Sequence, residues 1–399
     1  MAGVNDFIHY VRQVQEPFDL RPLTDVDLLV FSALAYMEFE ATSLGEACRA
    51  GVGGSRAGAG QDDSPCIGDL ARYAPLERYA CNDYRPQAMT QLLEAMVASP
   101  RFAPVAIRDF TCVETLDPPV QFAGLALGLP GPDPVVVALR GTNGFRAGWE
   151  ENLCMMYETQ APGCDLAQDF IARAVKANPQ VQVVLTGHSK GGSWAEQASL
   201  RTGGFDGGVS RVVTFDAPGP FRAGAGDGPE VRAYDAQMAA WLLEPGFDLR
   251  HYLLSAQYGA YFQIESVGGA ALGGASSESQ SWPIIQCVRQ GSISHNVGHA
   301  KICDGEFVLA DPTDPQVRKV AARRVATNRA YRSLTRQERE AIPPFVMGAL
   351  GKVGFRMGFS DPLWPAVRAV VHDFLHASGS TRRLLCKAVV HGIQGYLGK

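Results

Sequence analysis

Five consecutive residues, Gly187-His188-Ser189-Lys190-Gly191, have the types and spacing that most directly indicate chemistry. They follow an apolar, β-branched run at residues 181–185 and precede a helix-like stretch at residues 193–200. A serine on a tight turn between a strand and a helix exposes its hydroxyl, and glycines flank it because strand and helix pass closely. The helix N-terminus beyond offers backbone N–H groups to a developing oxyanion. The pattern therefore predicts that Ser189 is a nucleophile.

A serine hydroxyl becomes a good nucleophile when a histidine takes its proton and an acid orients that histidine. When the serine lies on such a turn, the acid and the histidine follow it along the chain. Among the histidines after Ser189, two lie in the polar, glycine-containing segment of residues 292–299, as expected of a loop that carries a base. We predict His295 as the base and keep His299 as the alternative.

Two aspartates are candidates for the acid. Asp216 directly follows a predicted strand at residues 211–215, and catalytic groups gather at the carboxyl edge of parallel strands. Asp248, close to the next strand-like run, is the alternative acid. For Asp216 the competing interpretation is an aspartate that only shapes the turn before Pro218 and Gly219.

The oxyanion needs two donors. One is the backbone N–H of Lys190, which follows the nucleophile, and the other comes from the loop after an earlier strand. Here that strand is predicted at residues 135–139, and its loop begins Arg140-Gly-Thr-Asn-Gly144. Thr142 can offer both a backbone N–H and a hydroxyl, so we predict it as the second donor.

The elements that must position these groups alternate along the chain. Apolar runs predict strands at residues 120–127, 135–139 and 211–215, and helical spacing predicts helices at residues 85–99 and 165–176. Thr24 is predicted to cap a further helix, and Thr335 with Glu338 fits a capping box. This order predicts an α/β protein with a mostly parallel central sheet, helices on both faces and a helical C-terminal extension. Together with the serine turn, it predicts an α/β-hydrolase fold.

Two regions are predicted along the chain. Residues 1–315 are expected to form the hydrolase domain, with mobile Gly/Ser-rich loops near residues 49–66 and 267–281. Strand-like runs end near residue 316, so residues 316–399 are expected to form a helical extension packed on that domain. Its first part, residues 318–339, carries eight Lys and Arg residues.

Composition excludes several classes of protein. The net charge of −5 argues against a general polyanion binder, so no nucleic-acid partner is expected. Nine cysteines without regular spacing predict neither a disulfide framework nor a zinc site, and the chemistry above needs no metal or organic cofactor.

No basic segment followed by an apolar stretch opens the chain, and no apolar run approaches the roughly 18 residues of a membrane span. We therefore expect a cytoplasmic protein.

Four blocks of sequence resemble the class 3, or fungal-type, lipases and, more closely, a bacterial lipase-like α/β-hydrolase family of unestablished function. The blocks are Leu23–Tyr36, Leu139–Thr142 with Trp149 and Glu150 shortly after, Thr186–Gly192, and Phe215–Gly219. The combination of Arg-Gly-Thr with Gly-His-Ser-Lys-Gly-Gly is the most specific part of this resemblance.

The resemblance implies a serine carboxylic-ester hydrolase that cleaves an acyl ester, of a lipid or lysolipid, through a covalent acyl-Ser189. It implies Thr142 as an oxyanion residue and His295 as the base. It also implies that the residues after Thr142, with Phe145 and Trp149, lie where such lipases have a lid.

The acid departs from the pattern of the class 3 lipases. In them the aspartate lies one strand later than Asp216, and the matching stretch of residues 251–257 contains no aspartate. An acid at the position of Asp216 resembles pancreatic-type lipases instead, and Asp248 stays open.

Two alternative functions follow from the same residues. The expected partner in the main interpretation is a small-molecule or lipid ester substrate. One alternative is a thioesterase or acyltransferase with the same triad, in which the acyl-enzyme passes its acyl group to another acceptor. The other is a non-catalytic hydrolase fold that binds, with residues 318–339 making transient contact with an anionic membrane surface or with a partner. The competing interpretation of residues 318–339 is a solvated helix face. The sequence leaves the oligomeric state undetermined.

Overall fold

A computed structural model describes the fold. It covers residues 6–44, 64–80, 86–131, 134–155, 157–159, 161–201, 208–218, 223, 227–242, 248–254, 283–287, 297–311, 313–315, 333–352 and 363–386.

The helices in these ranges precede, separate and follow the strands. They are α1 (Phe7–Gln13), α2 (Asp25–Leu34), α3 (Leu70–Tyr73), α4 (Pro86–Val97), α5 (Arg146–Cys154), α6 (Pro162–Ala177), α7 (Lys190–Arg201), α8 (Pro229–Leu242), α9 (Arg336–Glu340), α10 (Ile342–Lys352) and α11 (Leu363–His376). The strands are β1 (Ala106–Leu116), β2 (Pro119–Gly128), β3 (Val135–Leu139), β4 (Val183–His188), β5 (Val209–Phe215), β6 (Asp248–Leu254), β7 (Ile284–Ile285), β8 (Ile302–Cys303) and β9 (Glu306–Phe307).

Strands β1 to β7 form one sheet in the order of the chain. β1, β2 and β3 pair antiparallel, whereas β3 to β7 pair parallel. Strands β8 and β9 form a separate hairpin. Parallel strands need crossover connections, so the carboxyl ends of β3 to β7 lie along one edge of the sheet. The predicted fold class, a mostly parallel sheet with helices and further helices at the C-terminal end, is confirmed.

The apolar side chains of the central strands alternate between two layers of helices. On β3, Val136 and Ala138 pack in the layer formed by α1, α2 and α4, while Val135, Val137 and Leu139 pack in the layer of α6 and α7. Strand β4 is buried along its whole length. A strand buried on both faces is typical of a parallel sheet covered by helices on both sides.

The N-terminal helices are fixed by a buried ion pair. Arg101 donates to both carboxylate oxygens of Asp27, at 3.0 and 2.6 Å, and both side chains are fully buried. The guanidinium also donates to the backbone oxygens of Glu16 and Arg21, at 2.8 Å each, and lies 3.8 Å from the centre of the Phe18 ring. Asp27 also completes a capping box with Thr24 at the start of α2, as the sequence predicts for the cap.

The C-terminal helices contact the rest of the chain through an ion pair and an apolar cluster, among other contacts. Arg339 on α9 pairs with Asp227 at 2.5 Å, and neither side chain is more than 1% exposed. Leu153 on α5 packs with Met347 and Leu350 on α10. The predicted capping box at Thr335 is present at the start of α9. The division near residue 315 stays a prediction, because residues 316–332 lie outside the described residues.

Most predicted elements are observed with shifted ends, and two features differ from the expectations. Strand β1 was not expected, because its middle and end are polar and half-buried or exposed, as on the edge of a sheet. The segment after Thr142 contains helix α5 where the sequence indicated only a loop, and the lid position implied by the resemblance stays a prediction. Of the two predicted mobile loops, the one near residues 267–281 lies outside the described residues, as do residues 49–63 of the one near residues 49–66. Cys66, at the end of the latter, forms a bridge with Ala106.

The buried pair of Arg101 and Asp27 gives a stability prediction. Asp27→Asn leaves the guanidinium buried without its counter-charge, so the free energy of unfolding should fall by about 3–5 kcal/mol. Urea denaturation followed by circular dichroism measures this. Arg72→Met, which removes an exposed pair with Asp69, is the control and should cost less than about 1 kcal/mol. Equal effects of the two substitutions would contradict the prediction.

Candidate active site

Ser189 lies where β4 ends and the chain turns into α7. Its φ is +56°, in the left-handed region, which costs a non-glycine residue about 1–2 kcal/mol. Its N–H donates to the carbonyl of Phe215 at 2.9 Å, and its own carbonyl accepts from the N–H of Gly192 at 3.0 Å. The side chain is half-buried at the carboxyl edge of the sheet. The local geometry therefore has the form of the predicted strand–serine–helix turn.

Three glycines allow the backbone to crowd around Ser189. A Cβ on Gly187 would lie 2.5 Å from the carbonyl carbon of Gly191, and a Cβ on Gly191 would collide with the backbone of Leu139. A Cβ on Gly141 would lie 2.6 Å from the carbonyl oxygen of His188 and 3.1 Å from the Cβ of Ser189. The loop after β3 thus approaches the serine turn at backbone contact distance.

Thr142 lies in this loop and is buried. Its hydroxyl oxygen accepts a hydrogen bond from the side-chain amide of Asn152, on α5, at 2.7 Å. A hydroxyl that accepts an amide N–H on one side directs its own proton elsewhere. The sequence did not single out Asn152, because its contact with Thr142 depends on how α5 folds back over the loop.

The rest of the loop is tied to strand β1. Arg140 pairs with Glu114 at 2.6 Å, and the side-chain amide of Asn143 donates to the same carboxylate at 2.9 Å. The side-chain oxygen of Asn143 accepts from the N–H of Phe145 at 2.8 Å and from the side chain of Gln121. These bonds fix the conformation of the segment that contains Thr142.

Lys190 follows the serine, and its side chain turns into the protein. The ammonium lies 2.8 Å from a carboxylate oxygen of Glu151 on α5, with both side chains at most 1% exposed. It also donates to the backbone oxygen of Gln121 at 3.1 Å and lies 4.6 Å from the centre of the Trp194 ring. Burial lowers the pKa of Lys190 from its ordinary value, and the adjacent Glu151 opposes that shift. Only the backbone of Lys190 is therefore directed to the serine turn.

Asp216 follows the last residue of β5 and is fully buried. Its φ is +48°, and its N–H donates to the carbonyl of Tyr252 at 2.7 Å. His188 and Phe215 pair opposite each other, so Ser189 and Asp216 have equivalent positions at the ends of neighbouring parallel strands. Neighbouring strands are about 4.8 Å apart. The structure thus brings Ser189 and Asp216 to the same edge of the sheet.

Asp248 lies at the opposite edge. It is the first residue of β6, paired opposite Arg211 near the start of β5. Its carboxylate is held by Arg211 at 3.3 Å and Arg250 at 2.9 Å. At about 3.3 Å per residue, roughly 16 Å of strand separates this level from Asp216. The structure therefore does not bring the alternative acid Asp248 to Ser189.

The structure describes only one of the two candidate bases, His295 and His299. His295 lies outside the described residues. His299 ends the short 3₁₀ turn Val297–His299 and is buried. The next residue, Ala300, bridges Cys287 just beyond the carboxyl end of β7. His299 is thus on the same edge of the sheet as Ser189, and the choice between the two histidines stays a prediction.

Two groups of polar contacts near the serine turn were missed by the sequence reasoning. Glu196 on α7 accepts from the hydroxyl of Thr214 at 2.7 Å and lies 2.8 Å from Nδ1 of His251, all three being buried. The hydroxyl of Tyr36 lies 2.8 Å from Nδ1 of His188. The only sequence signal for the second contact is that Tyr36 ends one of the four blocks of the resemblance.

Within the described ranges, no group of His, Cys, Asp or Glu side chains is arranged to hold a metal ion. No helix in those ranges has both the length and the apolar character needed to cross a bilayer.

The strand order and the serine turn at the end of β4 define a lipase-like α/β-hydrolase fold. Within it, residues 96–239 match the sequence model of the family described as Mbeg1-like. Three of the four blocks of the resemblance, at residues 139–142, 186–192 and 215–219, lie inside this match. A search of curated protein sequences finds no match.

Solved structures similar to this chain include fungal lipases. The lipase from Rhizopus microsporus var. chinensis aligns with a TM-score of 0.31 and 13% identity, over 71% of this chain and 79% of the lipase. A mutant form of MDLA from Penicillium cyclopium aligns with a TM-score of 0.34 and 12% identity, over 71% of this chain and 84% of that chain. A fungal lipase–inhibitor complex aligns with a TM-score of 0.34 and 14% identity, over 60% of this chain and 85% of that chain.

The crowding at Gly191 gives a second stability prediction. Gly191→Ala forces β3 and α7 apart, and overpacking of this kind costs about 1–3 kcal/mol. Gly348→Ala on α10 is the matched control, because nothing lies within 4 Å of its added Cβ, and alanine favours the helix over glycine by up to about 1 kcal/mol. Thermal unfolding should show a lower midpoint for the first variant only. A Gly191→Ala protein as stable as wild type would contradict the close approach.

Proposed function

We propose that this chain is a serine carboxylic-ester hydrolase, of the lipase or esterase type, that cleaves an acyl ester through a covalent acyl-Ser189. The observation that carries the proposal is the left-handed backbone of Ser189, held at the strand–helix turn by backbone contacts on three sides. Residues kept in such a conformation cluster at functional sites, where the surrounding structure determines them. The similarity to the Mbeg1-like family over residues 96–239 is consistent with it.

In the proposed reaction the Ser189 hydroxyl attacks the ester carbonyl, and His295 takes the proton and then gives it to the leaving alcohol. His299 is the alternative base. The negative oxygen of the tetrahedral intermediate accepts from the backbone N–H of Lys190 and from Thr142. Water then attacks the acyl-enzyme and releases the carboxylic acid. No metal or organic cofactor takes part.

Asn152 supports the proposed role of Thr142. Because the Asn152 amide donates to the Thr142 hydroxyl, the hydroxyl proton is available to the substrate oxygen. A hydrogen-bond donor that is oriented before the reaction needs no reorganisation energy when negative charge develops on the substrate oxygen. Loss of one such donor typically lowers kcat by about 10²–10³. The buried ammonium of Lys190 is neutralised by Glu151, so only the Lys190 backbone is assigned to the oxyanion.

Asp216 is proposed as the acid that orients the histidine. Its support is the shared edge with Ser189 and its left-handed backbone, which turns the chain sharply at the end of β5. Asp248, at the other edge, is held by two arginines and is assigned a structural role.

The direct test is covalent labelling with a fluorophosphonate, which reacts with activated serines. Wild type should be labelled, and Ser189→Ala should lose both labelling and hydrolysis of p-nitrophenyl esters from acetate to palmitate. Ser193→Ala is the matched control, because Ser193 is a buried serine one turn further along α7. Turnover retained in Ser189→Ala, or no labelling of folded wild type, would refute the proposal.

The variants Asp216→Asn and Asp248→Asn distinguish the roles of the two aspartates. Asparagine tolerates the left-handed backbone, so the first variant should keep its fold. It should lose about four orders of magnitude in kcat, as is usual when a triad acid becomes an amide. Asp248→Asn should hydrolyse p-nitrophenyl butyrate at nearly the wild-type rate. Similar rates for both variants would overturn the assignment of Asp216.

A further inference from the structure

Helix α5 follows the proposed oxyanion loop, and the buried carboxylate of Glu151 attaches the face that is turned toward the sheet. Glu151, on its inner face, binds the Lys190 ammonium at 2.8 Å, and neither side chain is more than 1% exposed. The other carboxylate oxygen accepts from the N–H of Gly163 at 2.7 Å, at the start of α6. The backbone N–H of Gln121, on β2, donates to the same carboxylate at 3.2 Å. One glutamate therefore connects α5 to α7, α6 and the sheet.

The outer face of α5 is covered by the C-terminal helices. Leu153 packs in a buried apolar cluster with Met347 and Leu350 of α10, and Trp149 lies against this cluster. Just beyond α5, Glu158 pairs with Arg336 of α9 at 3.2 Å. Helix α5 thus lies between the sheet on one side and helices α9 and α10 on the other.

Displacing α5 would require both faces to come apart. The Lys190 ammonium and the Glu151 carboxylate would separate inside the protein, and separation of a buried ion pair is strongly unfavourable. The Leu153 cluster would be exposed to water in the same movement. Asn152, between Glu151 and Leu153, would also leave the Thr142 hydroxyl.

We propose that α5 is a fixed wall of the site and that this hydrolase acts on single ester molecules dispersed in water, without activation by a lipid–water interface. The proposal rests on the proposed function and specifies the physical state of the substrate. In this arrangement the side chains of Lys190 and Glu151 are positioning groups, which act on the reaction through Asn152 and Thr142. A substrate reaches Ser189 past α5, with no opening of this helix.

The first experiment compares the rate of fluorophosphonate labelling of the full chain in buffer and with phosphatidylcholine vesicles. A fixed wall predicts rates that agree within twofold. A rate at least tenfold higher with vesicles, or labelling only with vesicles, would overturn the proposal while leaving the serine hydrolase function intact. Absence of labelling under both conditions would instead refute the proposed function.

The second experiment weakens the inner attachment of α5. Lys190→Met alone leaves a buried carboxylate without a counter-charge, so the neutral double variant Lys190→Met/Glu151→Gln is measured. A displacement of about 1 Å near a reaction can cost 10²-fold, so labelling per folded molecule should slow at least tenfold. For p-nitrophenyl butyrate, kcat should fall with little change in KM.

The matched control is Asp27→Asn, which disrupts another fully buried ion pair, in the layer of α1, α2 and α4. Its labelling per folded molecule should equal that of wild type, although its stability falls. Should the double variant fail to fold, Asn152→Leu keeps the Glu151 and Leu153 contacts and removes only the bond to Thr142. Labelling of either test variant at the wild-type rate would overturn the positioning role.

Discussion

The candidate site depends on how closely three pieces of backbone approach one another. The end of β4, the first turn of α7 and the loop after β3 meet where Gly187, Gly191 and Gly141 have no side chains. This approach is what holds Ser189 in a left-handed conformation and brings Thr142 near it. A local strain of this kind persists only when the surrounding contacts are strong enough to impose it. Much of the structure around the site can be understood as supplying those contacts.

Buried ion pairs are a second constraint on the fold. In the described ranges, three Lys or Arg side chains pair with a carboxylate at no more than 1% exposure on either side: Arg101 with Asp27, Lys190 with Glu151, and Arg339 with Asp227. Each pair joins segments that are distant in sequence. Such pairs add little net stability compared with apolar contacts, but separating the charges is costly. Their effect here is to fix which segments lie together.

The sequence predicts the local part of this arrangement well. The strand, the glycines and the helix around Ser189 are neighbours in the chain, so their spacing alone indicates the turn. Strand β3 and the cap at Thr24 follow from short patterns of the same kind. Asp216 was placed at the strand end from its position after β5. Its left-handed backbone is only weakly indicated by the residue type, because aspartate adopts this conformation more often than most residues do but usually does not.

Contacts between segments that are distant in sequence could not be predicted from the spacing of residue types. Whether Asp216 or Asp248 lies beside Ser189 depends on the register between β4, β5 and β6, which the order of residues does not contain. Helix α5 has both charged and apolar residues, and the same composition suits a mobile surface segment. Its burial comes from Lys190 on one side and from α10 on the other, and both contacts exist only in the folded chain.

The contact between α5 and α10 also limits the order in which parts of the chain can fold during synthesis. Every strand of the main sheet, together with Ser189 and Asp216, is translated before α10, which covers the outer face of α5. A nascent chain can therefore assemble the turn at Ser189 while α5 still lacks its outer support. The C-terminal helices cover α5 last, so the apolar side chains on its outer face stay exposed until the α10 segment has been translated.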